Sequence, residues 1–168
     1  MPVATPGFRA LASTANFLLA TNVVTVAAMG IFAGSALHSN TVVMPALRNF
    51  ASSSSLAVWA EIYLRGRPLQ VVTVAISSLG ASALFYKTRN PYYLAGAALI
   101  AAIAPYTSLL LYPINHQLLD FRKHGRDDPA VEEMLVHWST IQSGRTLLSC
   151  SAMVVTLYGA LQGHKLTL

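Results

Sequence analysis

The sequence predicts an all-α integral membrane protein, a four-helix bundle with extended third and fourth helices and a short interfacial helix. Three observations predict it. Only 10% of the 168 residues are Asp, Glu, Lys or Arg, where a soluble domain carries roughly 25%. Hydrophobic residues make up 54% of the chain, and the mean hydropathy is +0.52. The charges also cluster, leaving Ala10–Leu47, Pro68–Tyr86, Asn90–Leu119 and Thr146–His164 free of them over 38, 19, 30 and 19 residues. A helix crossing the hydrocarbon core needs about 20 residues. Lipid offers backbone groups no hydrogen-bond partner, so each window must be helical. The spans fall near 15–38, 69–86, 92–112 and 142–162, and residues 1–168 form a single membrane-embedded domain.

The first window follows Arg9, and its apolar run from Phe17 to Leu37 exceeds the usual signal-peptide core of about 7–15 residues. A retained helix is expected rather than a cleaved leader. Asn40–Arg67 is a longer connection, and its stretch Leu56–Leu64 carries Trp59 and Tyr63 at helical spacing. Aromatics of this kind sit at headgroup level, which suits a short interfacial helix there; the plainer role for it is an ordinary loop helix covering one mouth of the bundle. Lys87-Thr88-Arg89-Asn90-Pro91 is a tight turn with a proline placed for the first position of the next helix. It makes the second and third spans antiparallel neighbours. Asp128-Pro129 is a helix start, with Glu132 and Glu133 in the first turns. No breaker follows until Gly144, so one long helix is expected from about Pro129 to Leu161. The third helix is expected to continue past Pro113 to Phe121, giving an antiparallel hairpin outside the bilayer. Small residues recur in the spans, including Gly30, Gly34, Gly80 and Gly96, and let helices approach closely.

Composition also excludes functions. The net charge of +5 includes no Lys/Arg run long enough for a nucleic-acid footprint. It suits anionic lipid headgroups instead. One cysteine, Cys150, excludes an intramolecular disulfide framework and a cysteine-only metal cage. There is no glycine-rich phosphate loop and no Cys-x-x-Cys-His.

The polar residues inside the windows then stand out. Trp138, Gln142, Arg145 and Ser149 are spaced i, i+4, i+7, i+11 and share one face of the fourth helix. Arg145 must snorkel to headgroups, pair, or face a wet cavity. A ring, an amide and a guanidinium in line suit a flat oxygenated ligand. Ser108, Tyr112 and Asn115 share a face of the third helix that can meet this one. The plain alternative makes Asn115 interhelical glue. Among five histidines, none lies in His-x-x-x-His or His-Glu-x-x-His. His38, His116 and His137 are expected at one mouth of the bundle. A single histidine serving as general base is the leading reading, with no metal. A three-histidine metal site is the alternative.

Two strings carry a family resemblance. Ala104-Pro105-Tyr106-Thr107-Ser108-Leu109-Leu110-Leu111-Tyr112-Pro113-Ile114-Asn115-His116-Gln117-Leu118-Leu119 resembles the Pro-Tyr-Thr … Pro-x-Asn-x-x-Leu stretch of the anthrone oxygenase-like family. His137-Trp138-Ser139-Thr140-Ile141-Gln142-Ser143-Gly144-Arg145 resembles its Trp-x-x-x-Asn/His/Gln-x-x-Arg signature, with Gln142 standing where many relatives have Asn or His. Gly34–Pro45 fits its first-helix pattern. The strings cover about 30 residues, and the layout covers most of the chain. The resemblance implies a small four-span membrane protein of fungal polyketide pathways that oxidises an anthrone to an anthraquinone with dioxygen. It implies no cofactor, an endomembrane location in endoplasmic reticulum or vesicle, and an aromatic polyketide as small-molecule partner.

Weighed against that chemistry, His116 or His137 would take the proton from the central methylene. Arg145, with Asn115 and Gln142, would hold anionic carbonyl or phenolate oxygens. Trp138, Tyr112 and Tyr106 would stack on the tricycle, and His38 would line the site. The competing readings are a membrane scaffold or carrier for a lipophilic intermediate, and a histidine-ligated metal-dependent oxygenase. The lipid bilayer is an expected partner, no nucleic acid is expected, and a homo-oligomer is left open.

Overall fold

The computed structural model describes residues 6–124 and 129–165, with side chains over 14–124 and 130–162. Four rods make up the described chain, with no strand in it. α1 spans Pro6–His38 and runs on through a wide turn, Ser39–Val43, into a last turn, Met44–Leu47. α2 spans Ser52–Thr88. α3 begins as Pro91–Ala101 and continues through Ile103–Tyr106, a second wide turn at Thr107–Leu111, and Tyr112–His124. α4 spans Pro129–Lys165. All four are long and apolar enough to cross a membrane, and residues such as Leu79, Leu109 and Leu147 stand more than two-thirds exposed on the outer surface. That apolar exterior fits lipid and would be unfavourable in water.

The rods form a closed ring in which α1 packs on α2 and α4, and α3 packs on α2 and α4. Small side chains set the close approaches. A Cβ at Gly80 would collide with the Thr25 side chain, and one at Gly96 with Thr156. The Thr25 hydroxyl donates to the Thr21 carbonyl of its own helix at 2.7 Å, which satisfies it within lipid. Asn22 works as interhelical glue, accepting from the Tyr93 hydroxyl at 2.9 Å. The α2–α3 turn is built as its residues demand. Arg89 takes the left-handed conformation (φ 58°), and Asn90 caps α3 by accepting from the Tyr92 N–H at 3.1 Å, with Pro91 next. The expected Asp128 cap of α4 lies outside the described residues.

One expectation needs correcting. Leu56–Leu64 is helical, but it is no separate interfacial helix. α2 runs unbroken from Ser52 through Pro68 to Thr88. Pro68 removes one N–H and leaves the carbonyl four residues earlier without its usual partner. A membrane helix tolerates this where neighbours or interfacial water re-satisfy the group.

Two apolar clusters hold the bundle. One gathers Met29, Phe32, Ala36, Ala81, Ile100, Ile103 and Ala152 at mid-span. The other gathers Met44, Leu47, Leu56, Trp59, Leu111, Leu118, Val131, Leu135 and Trp138 at the end carrying the helical extensions. Between them lies a polar layer.

Candidate active site

The polar layer is built around Arg145, which is only 8% exposed. Its Nη1 donates to Gln142 Oε1 at 3.1 Å and its Nη2 to Gln70 Oε1 at 3.0 Å. The guanidinium carbon lies 5.2 Å from the centre of the Phe32 ring, and Nε–H is buried with no partner. Neither carboxamide carries a charge, and among the described residues no Asp or Glu forms an ion pair with Arg145. A buried cation left without an anion costs several kcal/mol. The site therefore favours any ligand that brings a negative oxygen.

The fourth-helix face read from spacing is the buried one: Trp138, Gln142, Arg145 and Ser149 are all enclosed. It meets the third helix as expected. The Trp138 indole N–H donates to Asn115 Oδ1 at 2.7 Å. Because an indole nitrogen only donates, this bond fixes the amide orientation of Asn115 and leaves its NH2 group to serve another acceptor. Trp138 also meets Trp59 edge-on at 5.7 Å, and Trp59 stacks on Tyr63 at 5.3 Å with near-parallel rings. An aromatic wall thus joins α2 to α4.

Two cavities share this wall. The larger, about 470 Å³, lies between α2 and α3 and reaches Phe32, Thr107, Tyr112 and Asn115. The smaller, about 210 Å³, lies toward the end of α1 and reaches Ser35, His38, Ser39, Trp59 and Gln142. Tyr63, Gln70, Trp138 and Arg145 border both. The larger falls in the range of roughly 300–1,000 Å³ typical of small-molecule sites.

The histidines do not gather. His116 and His137, the residues to which the sequence assigned the proton, are exposed and border neither cavity. Successive helical residues differ by about 100° around the axis. When Asn115 and Trp138 face inward, His116 and His137 must turn outward. His116 instead packs against Tyr112 with ring centres 4.5 Å apart. Among the described residues no three His, Cys, Asp or Glu side chains come together as metal ligands, so the expected cluster of His38, His116 and His137 does not form. Among the described residues His38, itself exposed at the end of α1, is the histidine that borders one of these two cavities. Tyr106 borders neither: its hydroxyl donates to the Ile141 carbonyl at 2.7 Å, and its ring fills the space left by the missing side chain of Gly144. Tyr112 stands half-exposed at the rim of the larger cavity.

Tyr63 and Gln70 were missed by the sequence reading. A signal was present. Trp59, Tyr63, Gly66 and Gln70 repeat the i, i+4, i+7, i+11 spacing of the fourth-helix face, and all four border the smaller cavity. The charges up to Arg67 assigned Trp59 and Tyr63 to a connection and Gln70 to the span near 69–86, which separated Gln70 from its partners.

The sequence pattern of the anthrone oxygenase family matches residues 59–155, more than half of the chain, from Trp59 to beyond Arg145. The chain belongs to the anthrone oxygenase family. No curated protein and no solved structure matches it. Within this anthrone oxygenase family member, the match takes in both aromatic faces, Asn115 and Arg145, while His38 and Phe32 on α1 precede it. Family membership supports an oxygenase function of this kind.

Proposed function

We propose that the protein oxidises a membrane-soluble anthrone to the corresponding anthraquinone with dioxygen. The observation that carries this reading is Arg145, a buried cation cradled by neutral amides beside a cavity of small-molecule size. Losing a proton from the central methylene turns an anthrone into an aromatic, delocalised anion, and an unpaired guanidinium favours that form over the neutral one. The anion is its own reductant. It passes one electron to dioxygen, and the resulting carbon radical and superoxide combine into a peroxide at that carbon. The peroxide takes up one proton. Loss of the second methylene proton with cleavage of the O–O bond leaves the quinone carbonyl and releases water. One anthrone and one dioxygen give one anthraquinone and one water, so the scheme calls for no added cofactor.

His38 is the residue we assign to proton removal, since it borders the smaller cavity together with Arg145 and Gln142. Arg145 and the Asn115 amide are assigned to the anionic oxygen. Trp138 and Tyr63 are assigned to the flat ring, with Tyr112 at the rim. The substrate is an aromatic polyketide and the location an endomembrane, as the family's pathways imply.

The test is anthraquinone formation in vesicles carrying the purified protein, measured under air against the spontaneous oxidation. Wild type should exceed the blank by orders of magnitude. Arg145→Ala and His38→Ala should each fall at least a hundredfold. Wild-type vesicles that oxidise the anthrone no faster than the blank would leave the scaffold or carrier reading instead.

A further inference from the structure

We propose that the gap between α2 and α3 is a lateral port that admits a planar, hydroxylated aromatic molecule from the bilayer to Arg145. The proposal rests on the proposed function, with the larger cavity as the way in to Arg145 and the smaller one, which His38 borders, on the other side of that residue. Its geometry comes from the walls of the larger cavity and their exposure. The cavity is walled by α2 on one side, through Tyr63, Gln70, Val71 and Ala75, and by α3 on the other, through Ala104, Thr107, Ser108 and Tyr112. Val71, Ala75, Ala104, Ser108 and Tyr112 are also exposed on the outer surface of the bundle, so the cavity opens sideways.

The depth of the opening follows from the sequence. Val71 and Ala75 lie in the charge-free window 68–86, and Ala104 and Ser108 in the window 90–119. The opening therefore faces lipid, just below the headgroup level marked by Arg67. Amphipathic rings concentrate at that depth, as Trp and Tyr side chains do. A hydroxylated polycycle shares their physical chemistry and would be enriched outside the port.

The seam is held shut elsewhere. α2 packs against Pro91–Ala101 toward the tight turn and against Tyr112–His124 toward the other end, with the wide turn Thr107–Leu111 between these contacts. Beyond the cavity, Arg122 reaches across from α3 to Glu61 of α2 at 2.7 Å. That ion pair latches the seam at its aqueous end, while Ala75, Ala104 and Ser108 place only small side chains across the lipid-facing part. An uncharged molecule arriving from lipid loses no hydration of an ionic group and ionises only once it reaches Arg145.

The protein supplies its own probe. Of its two tryptophans, Trp138 borders both cavities and Trp59 borders the smaller one. Full-length protein in phosphatidylcholine vesicles is mixed with a lipophilic hydroxyanthraquinone, and quenching of tryptophan emission is followed in time. The expected rate tracks the probe per lipid and falls when empty vesicles are added at constant total probe. Ala75→Phe and Ala104→Phe should slow quenching at least tenfold with helical content unchanged by circular dichroism, and Ala75→Leu, a milder plug, should slow it less. A rate that follows the aqueous probe concentration alone, or folded Phe variants that quench like wild type, overturns the port. Brominated-chain lipids that quench equally with and without the anthraquinone would assign the gap to an acyl chain and overturn it as well. Anthrone turnover measured in parallel separates the two readings: plug-sensitive quenching without turnover sinks the oxidation and leaves the port, whereas turnover untouched by the plugs sinks the port and leaves the oxidation.

Discussion

Arg145 is a conflict that a single residue introduces and the fold leaves unresolved. Its partners Gln70 and Gln142 orient the guanidinium without neutralising it. Replacing a buried charge by an apolar side chain of similar length is often neutral or stabilising, by about 1–4 kcal/mol for whole ion pairs. Arg145→Met should therefore melt at or above the wild-type temperature in detergent while losing at least a hundredfold in anthraquinone formation. Concurrent loss of thermal stability would make Arg145 a structural tie. The Trp138–Asn115 bond behaves oppositely. Asn115→Leu leaves the indole N–H without an acceptor inside the protein and should cost about 1–3 kcal/mol. Trp138→Phe added to Asn115→Leu should recover part of that loss, and a double-mutant cycle by thermal or denaturant unfolding reads the coupling.

At the scale of the helix, α1 and α3 share a device. Each carries a wide turn that ends two residues before a proline, Ser39–Val43 before Pro45 and Thr107–Leu111 before Pro113. In both, the residue before the proline donates five residues back, Met44 to Ser39 and Tyr112 to Thr107. Proline cannot donate, and its ring clashes with the carbonyl four residues earlier; widening the preceding turn relieves that clash. Each wide turn borders one of the cavities, Ser39 and Val43 the smaller and Thr107 the larger. Pro113→Ala restores an N–H that can reach the Leu109 carbonyl, and should raise thermal stability by less than the roughly 3 kcal/mol of an unrelieved interior proline while reducing turnover as the turn tightens. Stability and activity both unchanged would detach the turn from the cavity. These turns were illegible in the sequence, where a proline announces a disturbance without specifying its form. The lengths of the rods were legible because charge-free windows are a direct imprint of the hydrocarbon core. The buried face of α4 was legible because an arginine in such a window needs a reason. The matching face of α2 was hidden because Arg65 and Arg67 placed Leu56–Leu64 in a connection and started the second span at 69, and the histidine at the cavity was misassigned because His116 and His137 neighbour inward residues without facing inward themselves.

The whole molecule is longer than the membrane it crosses. α2 holds 37 residues, about 55 Å at 1.5 Å per residue, against a hydrocarbon core of about 30 Å. The surplus carries Trp59, Tyr63 and the Glu61–Arg122 pair. The site thus sits where the bundle leaves lipid, with apolar clusters above and below it. Arg122 and Glu61 are about one-third and one-half exposed, so water and salt screen the pair and leave it a weak contributor to stability. Glu61→Gln should lower the melting temperature slightly at low salt, and the difference should vanish in high salt as screening removes the attraction. A difference that persists at high salt would mean that Glu61 contributes more than its charge.

The unneutralised guanidinium also links the fate of the protein to what it meets. An anionic occupant adds RT ln(1 + [L]/Kd) to folding stability, about 2.7 kcal/mol at a hundredfold excess over Kd. The empty form is the one that unfolds and is degraded first. Cells starved of the aromatic precursor should then hold less of this protein at equal synthesis, a pulse-chase difference that Arg145→Met should abolish, so that supply of the cargo sets the lifetime of its receptor.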